Sequence, residues 1–270
     1  DGPQGLVFAS IHDQENGPGI YWGGPKGYSP INRSLLDGHG AFCSRVADFN
    51  RDGYLDVSLS QWKAGEKATS LYWGGPSGFS GNNRFVFRIG SIRRHTIGDL
   101  NRDGWLDIVF STTDNKIVLY WNSPLGFDNQ RKTVLPSRVS VDVEVADLNR
   151  DGLLDLIVSN LFDAKPAPGK PQSFGGSPQG DTFIYWGSPQ GYDESRREIL
   201  PSVGNADAAV ADLNRDGLLD LVLTSYHAGH TRSHPSTIYW NGVSGFDSSR
   251  TTRLSCRTEF RSQCELPKDK

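Results

Sequence analysis

At 270 residues the chain has room for one large domain or two ordinary ones. A net charge of −3, with acids and bases interleaved, excludes a general attraction to nucleic acid or anionic membrane. No apolar run approaches the roughly 18 to 20 residues of a membrane span, and 31 Gly, 15 Pro, 7 Trp and no Met describe a turn-rich, aromatic-rich chain of all-β type.

The chain opens at Asp1-Gly2 without an initiating Met, as a processed or excised product would. Residues 1–10 align on residues 151–160, so the sequence enters a repeat unit part-way. Leu6 to Ser10 reads as the second strand of that unit, Tyr21-Trp22 marks its third, and it runs to residue 37 without a first strand. Four full units follow, over 41–89, 92–136, 140–201 and 206–255. Each carries Asp-x-Asn-Arg-Asp-Gly-x-x-Asp, starting at Asp48, Asp99, Asp147 and Asp212, with spacings of 51, 48 and 65 residues. A Tyr-Trp pair keeps step at 72–73, 120–121, 185–186 and 239–240.

In the 140–201 unit, Val141 to Val145 alternates as strand one and Leu154 to Val158 is strand two. Phe183 to Trp186 is strand three and Arg197 to Leu200 strand four. No segment holds a helical apolar period over the roughly dozen residues a helix needs. A four-stranded unit of about 50 residues cannot bury its faces alone, so such units stack radially. The fold expected is all-β: a five-bladed β-propeller of four-stranded antiparallel blades, one domain over 1–270. In the full units the loop Asp falls 11 residues after a fixed strand-four position, which places Leu266 at a fifth such point. Residues 258–266 are therefore read as the missing strand one, closing the first blade and removing its free edge.

The loops carry the chemistry. Positions one, three and five supply side-chain oxygens: Asp48, Asn50 and Asp52; Asp99, Asn101 and Asp103; Asp147, Asn149 and Asp151; Asp212, Asn214 and Asp216. Gly at position six permits the turn, and position seven (Tyr54, Trp105, Leu153, Leu218) offers its carbonyl. Asp56, Asp107, Asp155 and Asp220 at position nine close the shell. A flexible, all-oxygen shell suits calcium rather than magnesium or zinc, so about four ions are expected. The plainer reading is an Asx-turn whose acids only cap backbone N–H groups. Several carboxylates within a few Å are costly without a cation, which favours the metal. The first unit has Gly5 in place of the closing Asp, so a fifth ion is not expected there.

These loops, with the flanking Val-Ala-Asp-Leu-Asn and Leu-Asp-Leu-(Ile/Val)-Val strands, resemble the FG-GAP/VCBS-type repeats of integrin α-subunit propellers and their bacterial and fungal relatives. The resemblance covers nearly the whole chain. It implies structural calcium at hairpins on one face, an extracellular or cell-surface setting, and a role in adhesion or in binding a protein or glycan. It departs in size, since integrin propellers have seven blades. Relatives include polysaccharide lyases, so the fold alone does not exclude an enzyme.

Ligand candidates lie at the opposite face. Two connections between strands two and three are enlarged, 161–182 and 225–236, and the second contains His227, His230 and His234. That spacing is open to a transition metal or to an ordinary polar loop. Strand one lines the channel, and its position five residues before each loop holds Cys43, Arg94, Asp142 and Asp207, charges that either meet a ligand or pair among themselves. Trp62 in a short loop is a candidate for exposed stacking, whereas the Tyr-Trp column is expected to be core. No paired acids, Gly-x-Ser-x-Gly or His-Glu-x-x-His occur outside the loops. The function expected is a non-catalytic recognition or structural module with a protein or glycan partner, or self-assembly. Neither nucleic acid nor membrane insertion is expected. The alternative is a polysaccharide-active enzyme using His227, His230 and Arg94. Cys256 and Cys264 either pair or stay free, as Cys43 would.

Overall fold

A computed structural model describes residues 5–9, 17–36, 40–61, 69–162, 180–226 and 234–255. In the first unit, β1 (Gly5–Phe8), β2 (Gly19–Gly24) and β3 (Gly27–Leu35) form a three-stranded antiparallel sheet in that order. The other units each give a four-stranded sheet in chain order. These are β4 (Ala41–Ala47), β5 (Asp56–Gln61), β6 (Ser70–Tyr72) and β7 (Arg84–Val86), then β8 (Ile92–Gly98), β9 (Asp107–Thr112), β10 (Lys116–Tyr120) and β11 (Lys132–Pro136). The fourth sheet holds β12 (Val139–Ala146), β13 (Asp155–Phe162), β14 (Thr182–Tyr185) and β15 (Arg197–Leu200). The fifth holds β16 (Asn205–Ala211), β17 (Asp220–Ser225), β18 (Ser236–Tyr239) and β19 (Thr251–Leu254). The molecule is a five-bladed β-propeller. Residues 258–266, assigned to closure, lie outside the described residues.

In the second and third blades strand two lies between neighbouring blades on both its faces. β5 and β9 are buried at every position. The apolar core is accordingly divided into layers between blades. Ile20 and Leu36 of the first blade meet Val57, Leu59 and Tyr72 of the second. Leu71 and Phe87 of the second meet Phe110 and Tyr120 of the third. Val109 and Leu119 meet Val143, Leu156 and Tyr185, and Ile157 and Ile184 meet Leu221 and Tyr239. At roughly 25 cal/mol per Å² of apolar surface, these layers are the main reason flat sheets stack.

The strand-three tyrosines tie the layers together. Tyr120 Oη donates to Arg88 O of the preceding blade at 3.1 Å. Tyr185 and Tyr239 do the same to Pro136 O and Pro201 O. Each Tyr-Trp pair divides its labour, for the tryptophans are half-buried and Trp22, Trp121 and Trp240 donate to Ser34, Thr133 and Thr252 on strand four. The column is core, as its strand position implied.

Strand one of each full blade packs on its counterparts: β4 on β8, β8 on β12 and β12 on β16. All four carry a register shift just before or across the aligned channel position, at Ala41/Cys43, Ile92/His95, Ser140/Asp142 and Asn205/Asp207. Bulges re-aim side chains, and here one falls at the equivalent place in each of the four strands. Among the described residues no helix is long and apolar enough to cross a membrane. The one helical turn there, Glu194–Arg196, is a short 3-10 element that the strand pattern did not anticipate.

Candidate functional site

The four loops share most of their hydrogen bonds, and in the first and last the position-one Oδ1 also accepts from the position-five N–H, at 3.2 and 3.1 Å. Position-one carboxylates Asp48, Asp99, Asp147 and Asp212 accept from the position-six Gly N–H, each at 2.9 Å through Oδ2. Position-three Asn Oδ1 accepts from the position-five N–H at 2.9 to 3.1 Å. Position-five Asp Oδ1 accepts from Tyr54, Trp105, Leu153 and Leu218 N–H, each at 2.8 Å. The glycines turn with φ of 83 to 89°, which only glycine adopts freely.

Position nine does more than close a loop. Asp56, Asp107, Asp155 and Asp220 are fully buried and each is the first residue of its strand two. One oxygen accepts from the position-two N–H, of Phe49, Leu100, Leu148 or Leu213, at 2.8 to 3.0 Å. The other accepts from the backbone just beyond strand three, at Gly74, Asn122, Gly187 or Asn241, at 2.8 to 3.0 Å. The carboxylate thus staples its loop to the far side of the same blade. A Cβ on Gly74 would stand 2.2 Å from Leu55 O, so the close approach needs glycine there. Where Asn replaces Gly, its amide reaches the preceding blade: Asn122 Nδ2 donates to Phe49 O and Asn241 Nδ2 to Leu148 O, both at 3.0 Å.

The charge is uncomfortable without a partner. Burial pushes the Asp107 carboxyl up to about 7 and Asp155 up to about 6, with their backbone donors opposing and the other loop acids adding to the rise. Asp56 is raised for the same reasons. Asp99 Oδ1 and Asp147 Oδ1 are buried and accept no hydrogen bond among the described residues, which is costly for a carboxylate oxygen. Among the described residues no three acid, His or Cys side chains are grouped as a ready metal cage, since the side chains face their own backbone. The donor chemistry nevertheless fits a hard cation: every candidate ligand is oxygen, and a buried oxygen stands unused at position one.

The channel cluster is paired internally. Arg94 Nη1 lies 3.2 Å from Asp207 Oδ2 and 3.7 Å from Asp142 Oδ1. Arg45, which sequence reasoning did not single out, lies 3.7 Å from Glu144 and donates to Cys43 Sγ at 3.0 Å. Burial raises the Asp142 carboxyl, helped by Asp207 and opposed by Arg94. Its two-residue offset from Glu144 was the available signal, because period-two alternation puts both on one face. Arg94, Asp142 and Asp207 are thus brought together, whereas Trp62, His227 and His230 lie outside the described residues, as do Cys256 and Cys264.

Repeated strand-one-to-two hairpins bearing one acidic loop each define a repeat propeller with a loop-bearing face. Residues 99–158 match the model of the FG-GAP-like repeat. The matched stretch holds the loops at 99–107 and 147–155, and the loops at 48–56 and 212–220 carry the same residue types, so an FG-GAP-like repeat is matched within a β-propeller. None of the curated proteins compared matches the sequence. Among solved structures it is similar to BBS1N in complex with ARL6DN, at 12% identity over 94% of this chain and 76% of that one, TM-score 0.47. It is similar to an arginine mutant of AofleA from Arthrobotrys oligospora, at 12% identity, 94% and 72% coverage and TM-score 0.46. The V. cholerae biofilm matrix protein Bap1 is 14% identical over 90% of this chain and 42% of that one, with TM-score 0.32.

Proposed function

We propose that the protein is an extracellular, non-catalytic recognition propeller whose four loops bind calcium structurally. The observation that carries the reading is the buried Oδ1 of Asp99 and Asp147, without a partner among the described residues, inside loops whose other side-chain oxygens already accept from backbone N–H groups or the loop Asn amide. In each loop the position-one Oδ1, the Asn oxygen, the position-five carboxylate, the position-seven carbonyl and the position-nine carboxylate would hold the ion. A carboxylate oxygen that accepts one N–H keeps a second lone pair, so the backbone staples do not use up position nine. The ion would neutralise three clustered acids per loop and fix a hairpin at each blade.

The face away from the loops is where a protein or glycan partner would dock. Between the fourth and fifth blades a cleft of about 510 Å³ is lined by Asp181, Ser202, His234, Thr237 and Arg253, at the ends of both enlarged connections. Its size is that of a small-ligand site, and its lining is rich in hydrogen-bonding groups.

The test is a melting curve with and without a calcium chelator, together with ion content. A ligand present at 100 times its Kd stabilises the folded state by about 2.7 kcal/mol per site. Calcium-loaded protein should hold about four ions, one per loop, and melt at a clearly lower temperature once stripped. A protein that carries no calcium after dialysis against it, and melts identically in chelator, defeats the reading.

A further inference from the structure

The fourth position of every loop is arginine: Arg51, Arg102, Arg150 and Arg215. All four have positive φ, from 59 to 62°. Glycine or asparagine takes that conformation at less cost. Arginine at all four therefore points to a use for the side chain, and three of the side chains show it. Arg51 Nη2 lies 2.9 Å from the point where a Cβ on Gly104 would stand, Arg102 Nη2 2.6 Å from that on Gly152, and Arg150 Nη2 2.8 Å from that on Gly217. Each guanidinium thus covers the bare Cα of the position-six glycine in the following loop. Arg51 also stacks on Trp105, 4.7 Å from the ring centroid. Gly53, the equivalent residue of the 48–56 loop, has nothing within 4 Å of such a Cβ among the described residues. Among the described residues, three loops sit under a neighbour's guanidinium and the 48–56 loop does not.

We propose that these arginines couple the loops in series: Arg51, Arg102 and Arg150 each hold a fixed positive charge against the next loop and weaken its grip on a cation, leaving the 48–56 loop the tightest of the four. The inference rests on the reading that the loops bind calcium. The ligand types are the same in all four, and the position-one Oδ1 of Asp48 and Asp212 also accepts from the position-five N–H at 3.2 and 3.1 Å, so the ligands by themselves do not make the 48–56 loop the tightest. Calcium affinity is tuned by the charge around a site as well as by its ligands, and the guanidinium supplies an unequal term. At a surface, a unit charge several Å from a divalent ion changes affinity by about three- to tenfold at low salt, and less as salt screens it. Arginine seats this charge better than a flexible ammonium, because its rigid fork reaches the bare glycine Cα and, at Trp105, sits over an aromatic ring.

The test is a calcium titration of the full chain at low salt, followed by NMR at the amides of Gly53, Gly104, Gly152 and Gly217, which report the loops separately. In the wild type Gly53 should saturate first, at about three- to tenfold lower free calcium than the others. Arg51→Gln should tighten the 99–107 loop by a similar factor while the 147–155 and 212–220 loops titrate as before. Arg102→Gln should do the same for the 147–155 loop, so the test does not hang on one variant folding. Arg51→Lys retains the charge and should retain the wild-type order. Four loops saturating together in the wild type would overturn the coupling. So would an Arg51→Gln protein that melts lower while Gly104 titrates unchanged, which leaves the arginines as struts between blades. If none of the four amides responds to calcium, the calcium reading itself falls and the coupling with it.

Discussion

At His95 the fold holds an imidazole that cannot afford a charge. The ring is fully buried, Nε2 lies 2.7 Å from Ser58 Oγ, Nδ1 has no hydrogen-bond partner among the described residues, and the Phe110 ring centroid stands 5.5 Å away. Burial, with Arg45 nearby, lowers its pKa from 6.5 to about 3. The unfolded chain therefore takes up a proton below about 6.5 that the folded one refuses until about 3. Stability from this group is complete above pH 6.5 and is lost as pH falls toward 3. Acid unfolding followed by circular dichroism should show that loss, and His95→Gln should flatten the curve between pH 6 and 4 (the range is approximate). Asp155 makes a different demand. Asp155→Ala would strip two buried N–H groups, of Leu148 and Gly187, of their acceptor. A cost of about 2 to 5 kcal/mol is expected in calcium-free denaturant titration, since each unsatisfied donor costs about 1 to 3 kcal/mol. An unchanged midpoint would mean that water reaches both donors.

Elements were legible wherever local pattern decided them. β15 (Arg197–Leu200) falls where the sequence places it, and the missing first strand of the opening blade follows from aligning two short segments. β13 runs on to Phe162, four residues past the sequence boundary, because its far end pairs with Val139 after the bulge in β12. That is tertiary pairing, which no local period announces. The loop ligand types were likewise readable from spacing, but the second duty of position nine was not. Its partner beyond strand three lies 15 to 32 residues downstream across connections of unequal length. The seats of Arg51, Arg102 and Arg150 lie in the next blade, at Gly104, Gly152 and Gly217, and their one sequence signal is the repetition of Arg itself. Tyr185→Phe tests how much the inter-blade donors matter. It deletes the hydroxyl that donates to Pro136 O and should cost about 1 kcal/mol without altering the sheet content.

Across the whole molecule the first blade is the weak member. Among the described residues its sheet has three strands, and Leu6 and Phe8 on β1 are 43% and 54% exposed. Removing residues 256–270 should therefore give a protein that aggregates or melts lower, read by light scattering and calorimetry, if that segment supplies the strand. A truncated protein that stays monomeric with an unaltered melting temperature would exclude it. The tyrosine bonds add a sense of direction. Tyr120, Tyr185 and Tyr239 all donate backward, from a later blade to a carbonyl of the one before. A polypeptide leaving the ribosome thus meets each acceptor already in place when its donor emerges. From the third blade on, each can settle during synthesis onto a neighbour already made, and any wait for the last residues falls on the first blade alone.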